Sequence, residues 1–330
     1  MKKTKLCISV LILFVLLVIS LFIGSYEITT EEFIRILTFR GKKDEMAYRV
    51  FITLRLPRTL MAGLAGFILG EVGAVYQSVF RNPLASPDIT GVASGASFGA
   101  ALSIVTGAGG VVGIMGGSFV FGMLALLLVV LLAGCSGRER LGSYILAGII
   151  VSAAAEAGLM LLKNMADPER ELTAIEYWVM GSLSNITGEK LLAILPIVAA
   201  VAVLLILMTK QVLLLAFPDN QAMATGINPG KWRFLILTTA TLGVAAVISV
   251  TGVISFTGMI APHIARLYLG RNGRIFLIFS GIFGAALTLL ADILARSAGS
   301  GAELPISVWS IVISIPVIVV LMIRRRRMPE

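Results

Sequence analysis

The sequence is poor in the side chains on which most metal sites and many enzyme active sites depend. It has one histidine and two cysteines in 330 residues. Cys7 and Cys135 lie too far apart for a metal-ligand spacing, and no Ser/His/Asp set accompanies His263. We therefore expect a protein that is not an enzyme and that holds no metal ion or other cofactor of its own.

Charge is scarce as well. Charged residues make up 14% of the chain and hydrophobic residues 58%, whereas ordinary soluble proteins carry about a quarter charged residues. The net charge is +9, but the basic residues stand at the ends of apolar segments, which is typical of membrane topology rather than of nucleic-acid binding. The composition predicts an all-α polytopic membrane protein, with roughly 20 apolar residues in each span.

Ten apolar segments divide the chain, so residues 1–330 are predicted to form a single transmembrane domain. The run at 6–23 is too long for a signal peptide and is interpreted as an uncleaved first span. The segment 257–269 is too short to cross alone, and we expect protein to cover the backbone at its end. The predicted spans are 6–23, 58–80, 89–107, 111–133, 141–163, 190–208, 232–250, 257–269, 275–296 and 305–323.

The distribution of basic residues orients these spans. With the N-terminus inside, most Lys and Arg, including Arg324 to Arg327, fall in the inner segments, as in cytoplasmic loops. Both termini are then cytoplasmic, and the protein lies in the cell (inner) membrane. The long outer segments are 24–57, with a capped amphipathic helix expected after Thr29, and 164–189. The longest inner loop is 209–231.

Several charged residues are unusual in such a chain. Glu71 and Glu156 fall inside apolar spans, so they are either candidate pathway acids or buried, hydrogen-bonded groups. Asp292 stands one helical turn before Arg296, which predicts an ion pair. Arg55 and Arg58 at one outer span end, and Arg296 at another, either reach towards lipid head groups or suit carboxylates on a partner.

Small residues recur four apart in several spans, a spacing that lets membrane helices pack closely. Those from Gly91 to Gly99 also leave room to line a path. A glycine-rich stretch ending at Lys231 is one residue short of a phosphate-binding loop and has Trp232 where the hydroxyl belongs, so we expect no ATP site in this chain. The three sets are Gly66/Gly70, Gly91/Gly95/Gly99 and Gly109/Gly113/Gly117.

Ordered motifs from residue 55 to the C-terminal region resemble the permease of the FecCD-type importers, the family that includes the cobalamin importer permease. Any one of them is weak, but five or more in the right order are specific. They are Arg55-Leu-Pro-Arg58 with Gln77-Ser-Val-Phe-Arg-Asn-Pro-Leu-Ala-Ser-Pro87, Trp178-Val-Met-Gly-Ser-Leu-Ser184, Asp219-Asn-Gln-Ala-Met-Ala-Thr-Gly226-Ile-Asn228, Gly252 to Arg266 with Pro262-His263, Leu290-Ala-Asp292-Ile-Leu-Ala-Arg296, and Glu303-Leu-Pro305.

The resemblance implies a ten-span permease subunit with the type II fold of ATP-binding-cassette (ABC) importers. Two permease chains, identical or paralogous, would line the path within the membrane lipid. Two separate ATPase subunits would bind ATP and Mg inside, and a substrate-binding protein would deliver cargo outside. The expected cargo is a metal chelate, most commonly a ferric siderophore, with haem or cobalamin as alternatives. No nucleic acid is implied.

Roles carry over residue by residue. Arg55, Arg58 and Arg296 would meet acidic residues of the binding protein. Residues 219–228 would form the surface that docks on the ATPase. The resemblance assigns the inner gate and path to Asn82, Leu84, Gly91 and Gly95. It assigns the coupling surface to Asp219, Ala222, Gly226, Ile227 and Asn228. Two acids, Glu71 and Glu156, depart from the small or neutral residues expected in this family.

Two other functions remain open. A secondary transporter would use Glu71 or Glu156 as a proton relay, and a membrane scaffold would carry no cargo at all. An uncoupler would abolish uptake by the first, and the second would show no flux.

Overall fold

The structure is a computed structural model. It describes residues 2–24, 26–38, 45–108, 110–135, 141–270, 273–298 and 303–325, and these residues form helices and no strand. Gly109, the inner loop residues Arg138 and Arg140, and Arg326 with Arg327 lie outside the described residues, so the expectations for them have no structural counterpart here.

Each predicted span coincides with a helix, which confirms the all-helical fold. The short helices α2, α3, α8, α10 and α11 lie between the spans. In chain order the helices are α1 (Lys2–Phe22), α2 (Thr30–Leu37), α3 (Met46–Arg49), α4 (Leu56–Val79), α5 (Val92–Val105), α6 (Gly110–Cys135), α7 (Leu141–Met165), α8 (Glu171–Val179), α9 (Gly188–Leu207), α10 (Thr209–Leu215), α11 (Asp219–Ala224), α12 (Pro229–Thr251), α13 (Thr257–Leu269), α14 (Phe276–Ser297) and α15 (Ile306–Arg325).

Seven helices in the described ranges are long and apolar enough to cross a membrane. The exceptions among the ten spans are α5, α13 and the apolar part of α15, which are shorter. At 13 residues, α13 is only about 20 Å long. α3, a π-helical turn (Val50–Arg55) and α4 form one helix from Met46 to Val79. The predicted outer segment 24–57 therefore ends in helix rather than in a loop.

Small residues bring α4 and α14 into backbone contact. A side chain at Gly66 would overlap the carbonyl oxygen of Gly284, and one at Gly70 would overlap that of Ser280. Gly99 of α5 and Gly117 of α6 approach each other in the same way. The predicted close packing is confirmed for these pairs. Of the long helices described, α4 is the most buried, followed by α12 and α14.

The backbone between α12 and α13 is not helical, and neighbouring segments satisfy its polar groups. Gly252 and Phe256 both adopt positive φ, 67° and 65°. Ser307 Oγ of α15 donates to Val253 O at 2.8 Å, and Ser182 N donates to Thr251 O at 2.8 Å. Backbone that is not helical is tolerated at membrane depth only when its polar groups are satisfied in this way, as expected from the short span.

Two ends of the bundle carry the predicted functional residues. The arginine end holds Arg55, Arg58 and Arg296. Here α2 has the predicted capping box between Thr29 and Glu32, and its Phe33 meets Phe51 edge-on with ring centroids 5.5 Å apart. The loop end holds residues 80–91 and 208–228.

Candidate functional site

Asp292 is the centre of an ion-pair network at the arginine end. Arg58 Nε donates to Asp292 Oδ1 at 2.8 Å, and Arg296 Nη2 lies 2.7 Å from Oδ2. Arg58 Nη1 donates to Glu303 Oε1, also at 2.8 Å. The network joins α4, α14 and the segment before α15. It confirms the pairing of Asp292 with Arg296 that their spacing predicts.

Arg296, a member of the network, and Arg55, which lies outside it, both cap the end of α1. Arg55 Nη1 donates to Leu21 O at 3.0 Å and to Phe22 O at 2.8 Å. Arg296 Nη1 donates to Ser20 O at 3.1 Å and to Ile23 O at 2.9 Å. The last carbonyls of a helix lack partners within it and carry partial negative charge, so the two guanidinium groups satisfy both needs.

All three arginines are therefore engaged within the chain rather than extended towards a partner or lipid. Arg55 and Arg58 are 4% and 8% exposed. Glu303 is the most accessible member, with a third of its side chain exposed. Sequence reasoning anticipated the pairing of Arg296 with Asp292 but not the partners of Arg55 and Arg58. Docking on the binding protein stays a prediction for them.

At the loop end, Asp219 pairs with two arginines from separate parts of the chain. Arg81, just after α4, donates to Asp219 through Nη2, and Arg233 in α12 donates to the same Oδ1 at 3.0 Å. Partial burial would raise the pKa of Asp219. The hydrogen bonds and charges of Arg81 and Arg233 outweigh that effect and hold the pKa below its ordinary value.

The other predicted coupling residues shape this segment. Ala222 is buried, Ile227 packs on the main core, and Asn228 caps α12 by accepting from Lys231 N at 3.1 Å. Gly226 ends α11 with φ 84° and has open space where a side chain would project. Of the five, Gly226 and Asn228 are exposed.

Sequence reasoning missed two exposed apolar side chains in this segment. Phe217 and Met223 flank the start of α11 and are 54% and 53% exposed. Large apolar groups within a polar connection, just beyond the ends of the spans, were the available signal. Such groups form the centre of many protein–protein contacts.

The predicted inner gate is a compact turn after α4. Asn82 Oδ1 accepts from Leu84 N at 2.9 Å, and Ala85 N donates to Asn82 O at 3.0 Å. Leu84 is 63% exposed. The turn thus presents one apolar side chain outward, while Asn82 stabilises the turn that carries it.

Gly91 and Gly95 pack closely against neighbouring helices, as their spacing predicts, and their place along the path stays a prediction. Gly91, at φ 69°, lies against Val151 and Ser152 of α7, and Gly95 lies against α6. Both are buried. Their lack of a side chain is needed for this close helix contact.

The two intramembrane acids have opposite surroundings. Glu71 is fully buried in α4, and no described residue hydrogen-bonds to either carboxylate oxygen. Glu156 is exposed on α7, where Ser94 Oγ donates to Oε1 at 3.1 Å. An exposed carboxylate midway along a membrane helix is costly against lipid, so this face of α7 is suited to water or to another polypeptide.

A cavity of about 240 Å³ lies near the arginine end, between α6, α8 and the ends of α9 and α12. Tyr177, Trp178, Asn185, Lys190 and Thr251 contribute to its lining. Within the described residues, no three His, Cys, Asp or Glu side chains come together as metal ligands would.

Comparison with known proteins agrees with this geometry. A model of the FecCD transport family matches residues 12–324. The chain belongs to the FecCD transport family. It is 33% identical to the molybdate import system permease protein MolB of Haemophilus influenzae, over 96% of this chain and 94% of MolB. It is 34% identical to the ferric enterobactin transport system permease protein FepG of Escherichia coli, over 83% of this chain and 82% of FepG.

A solved structure extends the match to three dimensions. It is described as an inward-facing conformation of a metal-chelate type ABC transporter. It superposes with a TM-score of 0.88 at 32% identity and covers 98% of this chain and 100% of its own. The protein is therefore a membrane-spanning ABC importer permease of the FecCD family, with the type II fold that the motifs imply.

Proposed function

We propose that this permease carries a ferric siderophore across the inner membrane. The supporting observation is the full-length superposition, with a TM-score of 0.88, on a transporter described as metal-chelate type. The likeness to FepG, which is named for a ferric enterobactin system, points the same way. Both termini lie in the cytoplasm in this account, so the arginine end faces outward and the loop end inward.

Molybdate is the second candidate, because MolB matches nearly the whole chain at 33% identity. Molybdate is a small oxyanion rather than a bulky chelate. Haem and cobalamin, which the family motifs also imply, are the remaining alternatives. Permeases for all four cargoes would share this fold, so the cargo must be identified by competition.

Energy would come from two ATPase subunits that bind ATP and Mg, and this chain would supply no cofactor. The exposed Phe217 and Met223 support residues 209–231 as the surface where the ATPase binds. Closure of the ATPase pair would push on this segment, tilt the helices and open the path alternately outward and inward.

A second permease chain, identical or paralogous, would face α7. The support is Glu156, a carboxylate that lipid would not accommodate. Glu156→Cys should react with a membrane-impermeant maleimide. Leu128→Cys, at an exposed apolar position of α6 that we expect to face lipid, should not. Equal reaction at both positions would contradict a water-facing path beside α7.

At the arginine end, we assign docking of the substrate-binding protein to Arg58 first. Arg58 is joined to Glu303, the accessible acid of the network. A carboxylate on the incoming protein can take the place of Glu303, because both would offer the same charge to the guanidinium. Arg55 and Arg296, which cap α1, would then support the surface rather than make the first contact.

Uptake in cells tests the cargo. Cells with and without this gene are given radiolabelled iron as ferric enterobactin, with unlabelled molybdate, haem or cobalamin as competitors. We expect uptake to be lost on deletion and to be unaffected by the competitors. Uptake that survives deletion would exclude this siderophore, and competition by molybdate would favour the second candidate.

A further inference from the structure

Asp219, paired with Arg81 and Arg233, connects the proposed ATPase surface to the proposed inner gate. Asp219 is the first residue of α11, between the exposed Phe217 and Met223. Arg81, its partner after α4, directly precedes Asn82 and the turn that carries Leu84. The Asp219 carboxylate therefore links α11 to the turn that carries Leu84, and transport requires these two segments to move together.

The Arg81 backbone adopts a conformation that needs outside support. Its φ is 52°, and Arg81 is one of two described residues other than glycine with a positive φ. That region costs about 1 kcal/mol or more for such a residue. Arg81 directs two bonds into the 215–219 segment, to Asp219 and from Nε to Leu215 O at 3.2 Å, and these offset the cost.

The second arginine ties Asp219 to α12. Arg233 is 1% exposed, so loss of its carboxylate partner would leave a buried charge uncompensated. Asp219 must therefore follow α12 in any movement. The Arg81 pair is more exposed, at 29% and 38% of the two side chains, so Arg81→Gln should cost less stability than loss of the buried Arg233 pair.

The far side of the gate turn is fixed separately. Tyr76 Oη is 3.1 Å from Thr90 Oγ1 and 2.9 Å from Thr241 Oγ1. This contact holds the 3₁₀ turn at residues 87–90 against α4 and α12. Between the two anchors lies the gate turn at residues 82–86.

We propose that Arg81 and Arg233 are positioning residues that transmit movement of α11 through Asp219 to the gate turn at residues 82–86. The proposal rests on the proposed function, since it needs an ATPase that moves α11. It adds a mechanical link: α11 and α12 move as one body, and the Arg81–Asp219 pair carries that movement to Leu84.

The test follows the gate directly and does not depend on the cargo. Leu84→Cys is placed in a chain whose Cys7 and Cys135 are replaced by serine, and the chain is co-expressed with its ATPase. The labelling rate by a hydrophilic maleimide is measured without nucleotide and with ATP plus vanadate. Arg81→Gln is then added, with Arg274→Gln as the matched control because Arg274 is exposed and lies in a different connection.

We expect nucleotide to change the labelling rate about fivefold or more in the parent chain and in the control, the range typical of allosteric coupling. Arg81→Gln should remove most of that change while the ATPase still co-purifies and hydrolyses ATP. Arg81→Lys, which keeps the charge but loses the bond from Nε, should give an intermediate response and serves if the Gln variant does not fold.

Two results would overturn the link. One is the same nucleotide response in Arg81→Gln as in the parent. The other is a response that falls only in proportion to ATPase binding, which would make Arg81 a residue for assembly. A parent chain that binds no ATPase, or does not respond to nucleotide, would instead overturn the importer account and the link with it.

Discussion

Arg58 and Asp292 lie 234 residues apart in the sequence and form an ion pair of 2.8 Å that is nearly closed to solvent. The pair fastens α4 to α14 at the end where a substrate-binding protein is proposed to dock. Arg296 shares the same carboxylate. Two cations therefore depend on one buried acid, and the stability of this end depends on that acid.

We predict that Asp292→Asn destabilises the protein by about 3 to 5 kcal/mol, because it leaves two buried guanidinium groups without their carboxylate. Glu303→Gln, in the same network but a third exposed, should cost about 1 kcal/mol or less. Thermal unfolding of the purified chain in detergent compares them. Equal losses would show that the burial of Asp292 does not govern its contribution.

Glu303→Gln should also tighten docking. Removing the internal carboxylate frees Arg58 for a carboxylate on the substrate-binding protein, and Arg58→Gln should weaken docking and flatten its salt dependence. Binding of the loaded binding protein to the complex in nanodiscs, at low and high salt, measures both. Thermal unfolding serves as the control for folding. Docking that neither variant changes would remove Arg58 from the contact.

The sequence predicts the features that depend on local patterns, but not the contacts between distant segments. The ten helices follow from apolar length, and the Asp292–Arg296 pair follows from helical spacing. The partners of Arg55 on α1 do not, because contacts between distant segments leave no local pattern. Gly91 and Gly95 show the same limit, since a glycine that lines a path and one that packs against a helix look alike in sequence.

Substitutions at Gly226 can distinguish a need for its backbone conformation from a need for the absence of a side chain. Its φ of 84° is unfavourable for most residues, while the space beside it is open. Asn tolerates this region and β-branched residues do not. We expect Gly226→Asn to keep cargo uptake per ATP hydrolysed and Gly226→Val to lower it, both measured in the assembled complex. Equal loss in the two variants would mean that the ATPase requires the bare glycine surface.

Acid should break the ion pairs of Asp219 with Arg81 and Arg233 only at low pH. Because the two arginines hold its pKa below the ordinary value, its stabilisation is complete above the unfolded pKa near 4 and is lost as pH falls through the folded pKa. The stability gap between the parent and Asp219→Asn should therefore be constant from about pH 8 to about pH 5 and shrink at about pH 4 and below. Unfolding in detergent across this range measures the gap, and a gap that widens on acidification would contradict the assignment.

Transport by the purified complex in proteoliposomes is the decisive measurement of ATP-driven import through this chain. The vesicles would hold the permease and its ATPase, with binding protein and radiolabelled ferric enterobactin outside and ATP inside. We expect uptake that requires ATP and the binding protein and that continues when an uncoupler removes the proton gradient. Uptake that stops with the uncoupler while ATP is held constant would contradict it and would favour proton coupling through Glu71 or Glu156.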